Sequence, residues 1–289
     1  MFFMLSIIFA TILRITANSG LNTLQKGLSK TFSPLNTNFK TYFLLAIFSI
    51  PAFLIFYPKT SFETIIWSFI GGFFGALGNA FLIAALKYGE LSILGPINSY
   101  KAIVGLVFGI ILIKEIPHPF SILGIFLILA GSFFIFDTTK EGFSLSLFKR
   151  KDIIYRLLAL TFSAIEAIFI KKVILLSDIT TSFLLWVIFG FIFSFIILKI
   201  NRKKAFETTC FNKEITPFMA LSLLVFIMQY STNFIFEKIP TAAALSLFQL
   251  SNILNVFLGW KIFNEGHLLK KLIGSIIMVI GTVIIIFNR

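Results

Sequence analysis

The chain has 289 residues, of which 58% are hydrophobic, 17% aromatic and only 13% charged, with a mean hydropathy of +0.98. A water-soluble domain is nearer half apolar with about a quarter of its residues charged, so this composition excludes one and reads as an all-α integral membrane protein. The formal net charge of +13 would suggest a nucleic-acid partner in a soluble chain. Here most basic residues lie in short loops between apolar runs, where they set orientation and meet anionic membrane lipid, and no nucleic acid is expected.

Taken in order, the chain offers ten apolar segments of about 20 residues, the length a bilayer core demands. The first runs from Phe2 to Leu28 and carries Arg14, Asn18 and Asn22. No Lys or Arg precedes its apolar run, so it reads as a span rather than a cleaved leader. Pro34 breaks the next loop, and a second helix over Tyr42–Tyr57 should kink at Pro51. The third, Thr64–Leu86, contains Gly71, Gly72, Gly75 and Gly78, with Gly71 and Gly75 spaced as a G-x-x-x-G packing face. The fourth spans Leu91–Ile113 and the fifth Phe120–Phe136. Asp137–Asp152, with Lys149, Arg150 and Lys151 in a row, is the hinge between halves. The sixth covers Ile153–Leu176 and the seventh Thr180–Leu198. Lys199–Glu214 is the longest polar loop, and it holds the single cysteine, Cys210, which excludes an internal disulfide or a cysteine metal cluster. Thr216–Phe236, Pro240–Phe263 and Leu268–Phe287 complete the set.

The two halves repeat. A shift of 150 positions places Gly109 on Gly259, Glu115 on Glu265, Gly124 on Gly274 and Gly131 on Gly281. The expected organisation is a first five-helix repeat over 1–136, a connecting loop over 137–152 and a second repeat over 153–289. An odd-numbered repeat forces the second copy to cross the membrane upside down, the inverted-repeat plan of secondary transporters. Ten transmembrane helices built from two inverted five-helix repeats are therefore predicted.

Lys26 and the Pro34 region, Gly95-Pro96, and the paired segments Ile113–Gly131 and Phe263–Gly281 carry a resemblance to the EamA-type transporters of the drug/metabolite transporter superfamily. The resemblance covers nearly the whole chain. It implies a central cavity lined by helices one, three, four, six, eight and nine, with five and ten as outer buttresses. It also implies transport of small organic solutes, commonly amino acids or related metabolites, without ATP, and the chain has no G-x-x-x-x-G-K-[ST] phosphate loop. A multi-pass protein of a bacterial inner membrane, monomeric or homodimeric, is expected. Loop charge conflicts with the family topology. About sixteen Lys and Arg in the loops after the odd-numbered helices, against about six on the opposite face, would put both termini outside, whereas the resemblance implies both inside.

Charge in mid-helix is expensive and therefore points to function. Arg14, Lys101 and Glu166 lie near the middles of helices one, four and six. Amides share their faces: Asn18 and Asn22 with Arg14, Asn98 with Lys101, Asn79 on helix three, Gln229 and Asn233 on eight, and Gln249, Asn252 and Asn255 on nine. The predicted substrate-binding set is Lys101, Glu166, Arg14, Asn18, Asn98, Tyr100, Asn79, Gln229, Asn233, Gln249 and Asn252. Two cations and one carboxylate suit a zwitterion, with Lys101 or Arg14 on its carboxylate and Glu166 on its amine. Tyr100, Tyr230, Trp67 and Trp186 are candidate aromatic walls.

Several competing readings belong beside this one. Arg14 or Lys101 could instead pair with Glu166 and tie the halves together, and Glu166 could couple transport to protons or to a counter-substrate. An anionic metabolite, S-adenosylmethionine or a nucleotide-type metabolite, or a lipid-linked substrate flipped on the same fold are alternative cargoes. Arg156, within a turn of a helix start, is expected to snorkel to the interface. Glu115 and Glu265 at helix ends are expected to cap the N–H groups of the following helix, and His118 and His267 to be solvated. One cysteine, two loop histidines and one buried glutamate do not build a catalytic or metal centre, so neither an enzyme nor a cofactor is expected.

Overall fold

A bilayer core offers no water to backbone N–H and C=O groups, so a chain this apolar must satisfy them within its own helices. The computed structural model describes residues 2–56, 60–104, 107, 119–142, 144, 146–201 and 211–287. The predicted positions Gly109, Glu115, His118 and Cys210 lie outside the described residues. The helices are α1 (Phe2–Leu28), α2 (Pro34–Phe56), α3 (Phe62–Tyr88), α4 (Leu91–Ile97), α5 (Pro119–Phe136), α6 (Lys151–Leu176), α7 (Ile179–Ile200), α8 (Phe211–Lys238), α9 (Thr241–Phe248), α10 (Ser251–Phe263) and α11 (Leu268–Phe287). A 3-10 turn, Leu147–Lys149, lies between α5 and α6. Among the described residues, 9 helical stretches are long and apolar enough to cross a membrane. The far part of the fourth predicted span falls outside those residues.

The departures from expectation are local and have physical causes. Pro34 opens α2 instead of ending a loop, because the first helical position has no intrahelical use for the N–H that proline lacks. The fourth and ninth spans are each broken. Asn98 N–H bonds back to Gly95 O, and Ser99 N–H to Pro96 O; Gln249 N–H bonds to Ser246 O, and Leu250 N–H to Leu247 O. Both breaks are tightened three-residue turns, and they fall at matching places in the two halves.

Small residues set the packing. α3 presents its glycines to α6 and α7: a Cβ on Gly71 would stand 3.2 Å from Phe169 Cβ, and one on Gly72 would stand 2.4 Å from Phe189 Cβ. α5 and α11, one from each half, pack with their backbones in contact. Cβ atoms on Gly124 and Gly131 would lie 2.6 Å from the carbonyl oxygens of Gly281 and Gly274. Phe126 and Leu269 on the far sides of this pair are exposed, as an outer, lipid-facing buttress requires. Ser61 and Asp178 start α3 and α7 by accepting hydrogen bonds from Thr64 N–H and Thr181 N–H.

Candidate functional site

A cavity of about 140 Å³ lies between the halves, walled by α1, α2, α3, α6, α7 and α8 and by the two broken spans. Four charged side chains reach it: Arg14, Lys101, Arg156 and Glu166. The Arg14 guanidinium lies over the Phe248 ring at 4.0 Å, and its Nε is buried without a hydrogen-bond partner. The Lys101 ammonium, one turn past the α4 break, has no hydrogen bond or ion pair among the described residues, and only its backbone N–H is engaged, by Asn98 O. It is within electrostatic range of Glu166, Arg14 and Arg156.

Arg156 corrects the expectation that it snorkels. It is buried and donates from Nε to Leu94 O at 2.7 Å. The reason is the break: in an unbroken helix Leu94 O would receive Asn98 N–H, which instead turns back to Gly95 O. The arginine satisfies the carbonyl that the turn releases.

Glu166 projects from α6 over Gly75, where an added Cβ would stand 2.1 Å from Oε1. The second glycine of the G-x-x-x-G pair thus makes the seat for this carboxylate. Trp186 Nε1 donates to Glu166 Oε1 at 2.6 Å. The Tyr42 ring lies 5.2 Å from that of Trp186 and rests on Gly190, where a Cβ would meet it at 2.3 Å. No ion pair joins Glu166 to Arg14 or Lys101 among the described residues.

Amides stitch the two breaks together. Asn98 Nδ2 donates to Gln249 Oε1 at 3.0 Å, and Asn252 Nδ2 donates to the same oxygen and to Ser99 Oγ, each at 3.1 Å. Asn18 Nδ2 ties α1 to Ser251 Oγ at 3.1 Å. The Oδ1 atoms of Asn22 and Asn252 remain buried without partners.

Of the predicted set, Arg14, Asn18, Asn79, Asn98, Lys101, Glu166, Gln229 and Asn252 line the cavity, and Tyr100, Asn233 and Gln249 do not. The Tyr100 hydroxyl points to Ser132 of α5 at 2.9 Å. Asn233 accepts from Gln229 Nε2 and donates to Ile179 O, and Gln249 is absorbed in the amide network. Tyr42 and Arg156 line the cavity without having been predicted for it. The rows of helical spacing that found the asparagines carry no mark for a tyrosine whose seat is a glycine on another helix.

A second charged cluster lies where α1 ends, α4 begins and α10 turns into α11. Asn264 and His267 adopt left-handed backbone, with φ of 54° and 61°, and the turn places Glu265 against the start of α4. Its carboxylate accepts Leu91 N–H at 2.8 Å and Ser92 N–H at 2.7 Å, and Lys26 Nζ approaches at 2.9 Å. Glu265 therefore caps a helix, as predicted, but that helix belongs to the opposite half; α4's own flanking residue, Glu90, makes no side-chain cap bond. Glu90 pairs instead with Lys271, which is almost completely buried and also donates to Ser92 Oγ at 2.9 Å. Burial alone would raise the Glu265 carboxyl, but the Lys26 ammonium and the Ser92 hydrogen bonds outweigh it and hold the group below the usual carboxylate range.

The sequence matches the EamA-like transporter family over residues 4–137 and again over 150–287. No curated protein matches it. A protein of known crystal structure superposes with a TM-score of 0.67 over 95% of each chain at 15% identity, which shows a shared fold and nothing further.

Proposed function

Since the chain belongs to the EamA-like transporter family, we propose that it is a secondary transporter of a small amino-acid-class zwitterion, carried through the central cavity by alternating access in a bacterial inner membrane. The observation that carries this reading is the set of charges in the cavity that make no ion pair among the described residues. Lys101 offers three N–H donors to a carboxylate, and Glu166, fixed by Trp186, offers its other oxygen to an ammonium. Broken helices at matching places in two repeats are where transporters of this plan hold substrate.

Size supports the class. A volume of about 140 Å³ accommodates on the order of ten water molecules, a fair match to an amino acid. S-adenosylmethionine and nucleotides are larger than the amino-acid class that this volume matches. S-adenosylmethionine also carries two cations and one carboxylate, the same charge set as Arg14, Lys101 and Glu166, so like charges would face each other. The anionic-metabolite reading is favoured by one observation, the excess of cations over carboxylates in the cavity.

Thermal unfolding of the detergent-purified protein against a panel of amino acids, with proteoliposome uptake of each hit, tests the proposal. A ligand present at about a hundred times its dissociation constant stabilises the folded state by ~2.7 kcal/mol. The expected result is stabilisation by an amino acid in wild type that is lost in Lys101→Ala and Glu166→Ala. Stabilisation only by compounds lacking an amine would overturn it.

A further inference from the structure

The four cavity charges are not equivalent. Arg156 is engaged by the carbonyl that the α4 break releases, Leu94 O, and so has a role within the fold. Arg14 and Lys101 have no such partner among the described residues. The Arg14 guanidinium carbon lies over the Phe248 ring, 4.0 Å from its centroid. That contact uses the ring's π-cloud and leaves the in-plane N–H donors unspent, including a fully buried Nε. An in-plane guanidinium fork is matched by a carboxylate, which takes two of its donors at once.

A neutral amino acid would answer Lys101 and Glu166 and leave Arg14 a buried cation without a counter-charge, an arrangement costing several kcal/mol. With Arg156 engaged by Leu94 O, the two cations left without a side-chain partner among the described residues and the one carboxylate call for two carboxylates and one ammonium. We propose that the cavity selects acidic amino acids, with Arg14, held over Phe248, reading the side-chain carboxylate. Such a molecule has about ten non-hydrogen atoms, in keeping with space for roughly ten waters. The inference rests on the zwitterion reading above and adds the identity of the side chain.

The test compares isosteres that differ only in that charge. Binding of glutamate and aspartate is measured by thermal unfolding or calorimetry beside glutamine and asparagine, near neutral pH, on wild type and on Arg14→Gln. A charge-assisted buried bond makes the acid bind at least about tenfold more tightly than its amide. Arg14→Gln should abolish this preference while the amides bind as before. Equal binding of acid and amide by wild type overturns the inference and leaves the zwitterion reading intact. Persistence of the preference in Arg14→Gln overturns the assignment to Arg14. If no amino acid of either kind binds wild type, both fall together. The wild-type comparison decides the selectivity even should the variant fail to fold.

Discussion

The cavity and the cluster around the start of α4 use the same residue types and treat charge in opposite ways. In the cluster each carboxylate meets an ammonium from the other half: Glu265 with Lys26, and Glu90 with Lys271. The Glu265 oxygens also accept two backbone N–H groups. In the cavity three cations share one carboxylate, and no ion pair forms among the described residues. A buried ion pair that is fully hydrogen-bonded costs little to keep and much to halve, whereas an unpaired buried charge weakens the fold it sits in. The cluster therefore joins the halves, whereas the cavity charges make no ion pair among the described residues and, on the proposed function, would be answered by a substrate.

Substitution at each site sharpens this contrast. The largest effect is expected from Glu265→Ala, which strands Lys26 and two N–H groups of α4; a loss of about 3–5 kcal/mol should appear as a clear fall in the thermal midpoint. Lys101→Ala and Arg14→Gln should leave the ligand-free midpoint unchanged or raise it, since each removes a buried cation that makes no ion pair among the described residues. A fall as deep as that of Glu265→Ala would erase the distinction between the two regions. Gly259→Ala probes the cluster sterically: its Cβ would stand 2.4 Å from Glu265 Oε2 and 2.9 Å from Ser92 N, and overpacking of this kind costs about 1–3 kcal/mol. In the cavity, Trp186→Phe removes the donor to Glu166 Oε1, and substrate affinity should shift by the worth of one hydrogen bond, about 0.5–1.5 kcal/mol. The smallest effect is that of pH. Because Glu265 is held below the ordinary carboxylate range in the folded protein, its contribution is complete above that range, about 4.3 for a free glutamate. It drains away as pH falls through the lower folded value. Acid titration of the thermal midpoint should show this component in wild type and lack it in Glu265→Gln.

Much of the architecture was legible because it depends on patterns that one helix carries alone. Apolar length marked the spans, and the glycines of α5 and α11 stood in register at a fixed offset. The helical spacing of Arg14 and Asn18 put both on one face, and that face does meet the cavity. Arg156 was misread for the opposite reason. Its distance from a helix start suggested the interface, but depth within a helix is not depth within a bundle, and the start of α6 is tucked against Leu94. The breaks at Asn98–Ser99 and Gln249–Leu250 are faint in sequence: only Gly95-Pro96 marks the first, and the second has neither proline nor glycine. Tyr100 lies one residue from Lys101 and so points elsewhere, to α5, because neighbours on a helix are about 100° apart.

The glycine contacts of the buttress carry one more consequence. Gly124 touches Gly281 and Gly131 touches Gly274, and each contact is reciprocal, with carbonyl oxygen facing the position of the missing side chain in both directions. Under the 150-residue offset Gly124 becomes Gly274 and Gly131 becomes Gly281, so the two contacts exchange with each other. That is the rule of an isologous interface, in which one surface patch meets its own copy across a two-fold axis. The seam between α5 and α11 is thus a homodimer contact written into a single chain. A polypeptide carrying only one copy of the repeat would present the complete patch, and two such chains packed antiparallel about a two-fold axis would be held by both contacts at once.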